Sequence, residues 1–251
     1  MNFTLRPSKT FLFDLVEHKL SRRGGAIGLD AAAENLKNRK WFKTHSYYGL
    51  DIDLNSLRRG IERASNNTSI YGILADLASI DSIQEGSVDV IVSTNTLYHL
   101  SEDQRLRAVS HLSRIVSPDG LLLMDLPIQL VSPSIDEVLR NNFLTIERLY
   151  FRNFISRFYE GIFERDGDLG SHPIAGTKPF RLLAWLVSRL EYLTSQRPQW
   201  NKQVLFICTD KKNQVKLPFD LSTYPMIDGR IYNLLPRIGG DQTSFSISAR
   251  G

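Results

Sequence analysis

Short apolar runs alternate with amphipathic stretches over the first half of the chain. The apolar runs predict five strands, at 26–30, 47–51, 70–74, 88–93 and 121–126. The amphipathic stretches predict helices at 8–21, 35–43, 55–64 and 101–115, and Ser101 with Gln104 supplies a capping box for the last of these. This alternation predicts an α/β fold with a doubly wound, mostly parallel sheet.

The second half of the chain is less regular. Helical segments are predicted at 134–140, 153–164 and 180–193, and strands at 143–151 and 204–209. We therefore predict one domain over residues 1–212, with a helical insertion at about 152–200 in its C-terminal half. Residues 213–251 show no sustained periodicity, and we predict an irregular C-terminal extension there.

Composition and charge exclude several classes of protein. The chain has 251 residues, 42% of them hydrophobic and 23% charged, as in an ordinary globular protein. Its net charge of +4 comes from basic residues scattered among acidic ones, so no nucleic-acid partner is expected. Residues 1–6 lack the apolar stretch of a secretory leader, and no apolar run reaches the length of a membrane span. We therefore expect a cytoplasmic protein without a membrane span.

Cysteine and histidine usage argues against metal and thiol chemistry. The single Cys208 lies in an apolar run and is expected to be a buried structural thiol. The five histidines lack the spacing of metal ligands, so no metal site is expected. No Gly-x-Ser-x-Gly elbow is present, which leaves a hydrolase without support.

Aspartates follow three of the predicted strands. Asp30, Asp51 and Asp76 each come after a short apolar run, and the first two are 51 − 30 = 21 residues apart. The carboxyl ends of parallel strands meet at one edge of a sheet, which is where open α/β sheets bind ligands. A separation of about 20 residues is typical of a dinucleotide-type βαβ unit. The sequence therefore predicts a nucleoside site at this edge.

The order of these motifs, with the turn Pro118-Asp119-Gly120 before the fifth strand, resembles the core of class I S-adenosylmethionine-dependent methyltransferases over residues 26–127. The resemblance implies that Asp51, with Ile52 beside it, accepts hydrogen bonds from the ribose hydroxyls of S-adenosylmethionine. It implies that Asp76 accepts from the adenine amino group, with Leu77 alongside the ring.

The same resemblance implies contacts at the other end of the cofactor. Asp30 and Ala32 are expected near the methionine portion, and Ser93 beside the transferred methyl group. Asn95 and His99 follow in the same loop and are the candidates for catalysis, since an imidazole has the pKa of a general base. The simpler interpretation of His99 is a structural residue that positions the next helix.

Two of the acids also have simpler interpretations. Asp51 can cap the helix that follows, but Asp53 and Asn55 can do so as well, which leaves Asp51 for the ribose. Asp76 is an isolated aspartate of a kind common on any protein surface.

The first loop departs from the family pattern. Where the family has a glycine-rich Gly-x-Gly run, this chain has Ala31-Ala32-Ala33-Glu34-Asn35. Glycine permits positive φ and close approach of the backbone to a ligand, whereas alanine in that conformation is strained by roughly 1 kcal/mol. The three acids favour methyl transfer to an acceptor, and the alanine-rich loop favours the alternative, a catalytically inactive methyltransferase-like protein that binds or assembles with a partner.

Aromatic residues concentrate in the second half, where this family commonly inserts substrate-specific elements. Most of them are expected to pack in the core; the set runs Phe143, Tyr150, Phe151, Phe154, Phe158, Tyr159, Phe163, Trp185 and Trp200. Their density also motivates the hypothesis of an apolar lid over a small or lipid-linked acceptor, or of a contact between two copies in a homodimer.

Overall fold

A nine-stranded, mostly parallel sheet forms the centre of the molecule. The computed structural model describes residues 5–64, 67–164, 169–170 and 172–235. The strands are β1 Gly24–Ala31, β2 Lys43–Asp51, β3 Ile70–Leu74, β4 Val88–Ser93, β5 Val116–Pro127, β6 Phe143–Phe151, β7 Gln203–Lys211, β8 Met226–Ile227 and β9 Ile231–Asn233. The helices are α1 Pro7–Ser21, α2 Leu54–Arg63, α3 Glu102–Ile115, α4 Pro133–Asn142, α5 Phe154–Phe163 and α6 Lys178–Thr194.

The strand order is β6-β7-β5-β4-β1-β2-β3-β9-β8. Strands β1 to β5 pair in parallel, whereas β7 runs antiparallel to both of its neighbours, β5 and β6. The chain leaves β1 toward β2 on one side and returns as β4 on the other, so the topological switch point lies between β1 and β4. The predicted doubly wound, mostly parallel sheet is confirmed.

Helices cover both faces of the sheet. On one face, α3 and α4 pack against β-strand residues in the largest apolar cluster, which includes Leu112 and Leu139. On the other face, α1 covers β4, β5 and β7 through Phe11 and Leu12, and α2 covers β2 and β3 through Leu57. Helices α5 and α6 share a smaller cluster of their own. Burial on both faces explains why the central strands are continuously apolar in sequence.

Two local predictions are wrong. The segment 35–43 is turns and a short 3₁₀ helix at Arg39–Trp41 rather than an α-helix. Glu34 and Leu36 have positive φ there, and left-handed residues cannot enter a right-handed helix. The predicted turn Pro118-Asp119-Gly120 lies within β5, where the pairing with β4 shifts register between Val88 and Val90. The Ser101–Gln104 capping box is confirmed.

The C-terminal segment contributes to the sheet. Within the region expected to be irregular, β9 pairs in parallel with β3, and β8 pairs antiparallel with β9. Ile231 is buried against Gly72 of β3, where an added Cβ would lie 3.0 Å from its side chain. No helix among the described residues is long and apolar enough to cross a membrane.

Candidate functional site

Asp51 lies at the carboxyl edge of the sheet as the last residue of β2. Its carboxylate accepts two backbone N–H bonds, from Glu34 at 2.7 Å and from Asp53 at 3.0 Å. A carboxylate has about four acceptor positions, so two remain for other donors. The capping role belongs to Asp53, which accepts from the Asn55 N–H at the start of α2. Asp51 is therefore a half-exposed acid without a capping function.

Asp76 lies beside it at the same edge. The backbone carbonyl of Asp51 accepts from Ala75 N–H at 3.0 Å, which ties the end of β2 to the residue before Asp76. One carboxylate oxygen of Asp76 caps the short 3₁₀ helix Leu77–Ser79 by accepting from Ala78 N–H. The structure thus brings the second and third predicted acids together.

An apolar residue follows each of these acids, and the two differ in exposure. Ile52 is 65% exposed at the rim, next to Asp51. Leu77 is 6% exposed and packs into the large apolar cluster on the α3 side. An exposed isoleucine beside an acid offers an apolar surface to a planar ring, whereas the side chain of Leu77 packs into the core.

The loop after β1 has an alternating left-handed backbone. Ala32, Glu34 and Leu36 have φ of 61°, 52° and 60°. These are the conformations that glycine adopts without strain, and each costs an L-residue roughly 1 kcal/mol. The chain therefore retains a glycine-type loop path without any glycine in it. The methyls of Ala31 and Ala33 point into the core, and Ala32 alone among the three is half-exposed.

Glycines across from the loop make room for it. Leu36 is 5% exposed, and its side chain lies where a Cβ on Gly49 or Gly60 would otherwise be. An added Cβ would lie 2.1 Å from Leu36 Cδ2 at Gly49 and 2.5 Å from Leu36 Cγ at Gly60. Burial of Leu36 in this space offsets the strain of its backbone. Together with the Glu34 N–H bond to Asp51, this packing fixes the loop against β2.

Asp30 lies one pleat below the rim, in register with Gly49. Its side chain is buried and accepts from Tyr47 Oη at 2.7 Å and from Asn38 Nδ2 at 3.1 Å. Burial raises the pKa of Asp30 to about 6, although both hydrogen bonds oppose the shift. Asp30 thus supports the loop and β2 from beneath, while Asp51 and Asp76 stand at the surface.

The other side of the switch point is formed by the ends of β4 and β5. Ser93, the last residue of β4, is fully buried, and its hydroxyl has no hydrogen-bond partner among the described residues. Asn95 has a φ of 57°, and its backbone N–H donates to Asp125 Oδ1 at 2.6 Å. Asp125 Oδ2 is buried without a partner within the described ranges, and burial raises the pKa of this carboxyl to about 6.

A cavity of about 220 Å³ opens at this edge, over the ends of β4, β5 and β6 and the start of β7. Asn95, Tyr98 and Gln203 contribute polar groups to its lining, and all of its charged lining residues are basic: Arg6, Lys9 and Arg152. Arg6 pairs with Glu164 and Arg152 with Glu160, both at 3.1 Å. Lys9 forms no ion pair with a described residue, and burial together with Arg6 and Lys37 lowers its pKa.

His99 is exposed beside this cavity. It ends the short 3₁₀ helix Leu97–His99, and its ring lies 4.0 Å from that of Tyr98, which lines the cavity. No cluster of histidine, cysteine, aspartate or glutamate suited to a metal ion occurs in the part of the chain that the structure describes.

The sequence of this sheet matches a known family. The profile of a methyltransferase domain matches residues 26–124, which span β1 to most of β5 and include the three acids of the carboxyl edge. Residues 26–124 therefore resemble a methyltransferase domain, and the sheet has the Rossmann-like fold of such domains. No curated protein matches the chain in sequence.

Solved structures share the fold of this sheet and of the helices around it. The N-methyltransferase NodS from Bradyrhizobium japonicum superposes with a TM-score of 0.53 and 13% identity, over 81% of this chain and 97% of that one. Phosphoethanolamine N-methyltransferase 2 from Haemonchus contortus gives 0.51 and 15%, over 82% and 56% of the two chains. The [4+2]-cyclase SpnF gives 0.51 and 14%, over 79% of each. At these identities the likeness establishes the fold.

Sequence reasoning missed two features of this carboxyl edge. Asp125 had a readable signal, since it is the one charged residue in the apolar run 121–126. The basic lining of the cavity had none, because Arg6, Lys9 and Arg152 come from distant parts of the chain and meet only in the fold.

Proposed function

We propose that this protein binds S-adenosylmethionine and transfers its methyl group to a small or lipid-linked acceptor at the carboxyl edge of the sheet. The observation that carries the proposal is the pairing of Asp51 and Asp76 at one rim, with Ile52 exposed beside them. When bound, S-adenosylmethionine supplies an electrophilic methyl group on a sulfonium sulfur.

The residues present fit a nucleoside. Asp51 retains two acceptor positions for the ribose hydroxyls, and the free oxygen of Asp76 is available to an exocyclic amine. Ile52 supplies an apolar contact for the adenine ring, and the backbone of Ala32 borders the methionine portion. Asp30, Leu77 and Ser93, which the family resemblance also places near the cofactor, are buried.

The cavity beside Asn95 is the proposed acceptor site. Its basic lining favours an acceptor with a phosphate or carboxylate group, which Lys9 and Arg152 would attract. Methyl transfer needs chiefly a nucleophile held close to the methyl group and in line with it, which a shaped cavity provides. His99, next to Tyr98, is the candidate base for an acceptor that must lose a proton.

Binding of S-adenosylhomocysteine and S-adenosylmethionine, measured by isothermal titration calorimetry, tests the cofactor assignment. Asp51→Asn should weaken binding by about 1.5–3 kcal/mol, the contribution of hydrogen bonds to a charged group. Asp53→Asn is the matched control, because asparagine also caps helices and Asp53 faces α2 instead of the rim. Equal losses in both variants would contradict the ribose assignment.

A second function is favoured by one observation, the glycine-free loop with three left-handed L-residues. It is the alternative of a methyltransferase-like protein without catalysis, and the fold is shared with the [4+2]-cyclase SpnF, a protein named for a different reaction. Absence of any heat or thermal shift with millimolar S-adenosylmethionine or S-adenosylhomocysteine would favour this alternative. If turnover is found, an unchanged pH profile in His99→Gln would remove His99 from catalysis.

A further inference from the structure

Helices α5 and α6 present apolar side chains to solvent along one face each. Residues four or seven apart in a helix lie on the same face, and the exposed positions are spaced by four on α5 and by four and seven on α6. Their exposed fractions run from 49% to 73%. The set, called here the α5–α6 apolar face, consists of Phe154, Phe158 and Ile162 on α5 and Leu182, Leu186 and Leu193 on α6.

The charged residues of these two helices are sorted by sign. Both acids, Glu160 and Glu191, are buried, at 3% and 0% exposure. The exposed charged side chains are all basic: Arg157 on α5, and Lys178 and Arg181 on α6. Arg189 is half-exposed and pairs with Asp14 of α1. The exposed charges that α5 and α6 themselves carry are therefore all positive.

An aromatic pair extends this face at one end. Trp200 is 41% exposed, and its ring meets that of Phe154 edge-on at 6.3 Å. The guanidinium of Arg197 lies 4.5 Å from the centre of the Trp200 ring. Tryptophan with an adjacent cation is typical of surfaces at the boundary between hydrocarbon and lipid headgroups.

We propose that the α5–α6 apolar face binds the surface of an anionic phospholipid bilayer, with both helices lying in the interface. Leucine and phenylalanine side chains would enter the acyl boundary, and Arg157, Lys178 and Arg181 would meet lipid phosphates. A second copy of the chain is the less favourable occupant. In a two-fold dimer the same patch faces itself, which would bring these basic residues together without acids to pair them.

The face lies next to the acceptor cavity. Arg152, which lines the cavity, precedes Phe154 of the apolar face by two residues. Lys202 N–H donates to the carbonyl of Phe151, which joins the segment that follows Trp200 to the end of β6. Bilayer binding would therefore place the cavity near the headgroups, where a lipid-linked acceptor is found. This last consequence rests on the proposed function, whereas the bilayer binding does not.

Sedimentation of the full chain with vesicles tests the proposal. Vesicles of phosphatidylcholine with phosphatidylserine should bind the protein, and vesicles of phosphatidylcholine alone should bind it more weakly. The double variant Phe158→Gln/Leu186→Gln should reduce the partition coefficient at least about tenfold, since it removes two inserted side chains. Leu144→Gln on β6, 71% exposed like Phe158, should leave binding unchanged. Arg157→Gln/Arg181→Gln should remove the preference for phosphatidylserine.

Three results would overturn the proposal. The first is that the protein does not sediment with anionic vesicles. The second is that Leu144→Gln reduces vesicle binding as much as Phe158→Gln/Leu186→Gln does. The third is that the protein forms a dimer in solution and that Phe158→Gln/Leu186→Gln dissociates this dimer. The last would assign the face to a second copy. Calorimetry with S-adenosylhomocysteine on the same double variant keeps the two proposals apart. If the double variant still binds S-adenosylhomocysteine but no longer binds vesicles, the proposal of a bilayer-binding face is supported. If the unaltered protein does not bind S-adenosylhomocysteine, only the proposed function is contradicted.

Discussion

Two pairs of aspartates at the carboxyl edge differ in depth. Asp51 is the last residue of β2, and Asp76 lies two residues beyond the end of β3; both are half-exposed. Asp30 lies one residue before the end of β1, and Asp125 two residues before the end of β5; both are buried at 1% and 0% exposure. Shifts of one to four residues along parallel strands thus separate the half-exposed acids from the buried ones.

The difference in depth has an electrostatic consequence. Burial disfavours the charged carboxylate and raises the pKa of both Asp30 and Asp125 to about 6. At the rim, Asp51 and Asp76 meet water and backbone N–H groups. The buried pair therefore makes stability depend on pH, and the rim pair supplies the acceptors for the proposed nucleoside.

The largest expected effect is the pH dependence of Asp125. Its folded pKa of about 6 lies above the ordinary aspartate value of 3.8, so the folded state binds the proton more tightly and stability falls as pH rises from 3.8 through 6. The shift of 6 − 3.8 = 2.2 corresponds to about 3 kcal/mol. The variant Asp125→Asn has no titratable side chain at this position. In urea unfolding, the free energy of unfolding of the parent should therefore fall relative to that of the variant by about 3 kcal/mol between acid and neutral pH.

A second variant identifies the source of this effect. Lys9 lowers the pKa of Asp125, so Lys9→Gln should steepen the loss of stability with pH in the parent and have no such effect in Asp125→Asn. Parallel pH curves for the parent and Asp125→Asn would instead mean that water reaches the Asp125 carboxylate, and the contrast between buried and rim acids would fail.

Asp51 and Asp76 at the rim could be predicted from sequence, whereas the buried Asp125 of β5 could not. The difference is whether a local pattern or the pairing of strands sets the position of the acid. Asp51 and Asp76 follow apolar runs, so a local pattern places them at strand ends. Asp125 lies inside a run, and its position depends on where β5 ends, which is set by its pairing with β4 and β7. The wrong helix at 35–43 has the same origin, because the left-handed path of Glu34 and Leu36 is fixed by Asp51 and by glycines of β2 and α2.

A glycine pair tests whether Leu36 fixes this loop. Gly60 and Gly161 both lie within helices, where alanine is normally better by roughly 0.5–1 kcal/mol. A Cβ at Gly60 would lie 2.5 Å from Leu36 Cγ and 2.8 Å from the Asn35 backbone, whereas nothing lies within 4 Å at Gly161. Gly60→Ala should therefore destabilise by about 1–3 kcal/mol and Gly161→Ala should stabilise. Chemical denaturation measures both, and a stabilising Gly60→Ala would show that the loop does not pack there.

The smallest effect concerns the strain of the loop itself. Glu34→Gly relieves the strain of an L-residue with positive φ, which stabilises the folded state by roughly 1 kcal/mol. The greater freedom of glycine in the unfolded chain largely offsets this stabilisation. The exposed ion pair of Glu34 with Lys37 contributes little to this difference. Glu62→Gly is the matched control, an exposed glutamate in α2 whose replacement costs about 1 kcal/mol. Urea unfolding should therefore find Glu34→Gly the more stable of the two variants by about 1 kcal/mol. Equal losses would mean that Glu34 has no strain to release, and the glycine-type path of the loop would then be wrong at the residue whose N–H binds Asp51.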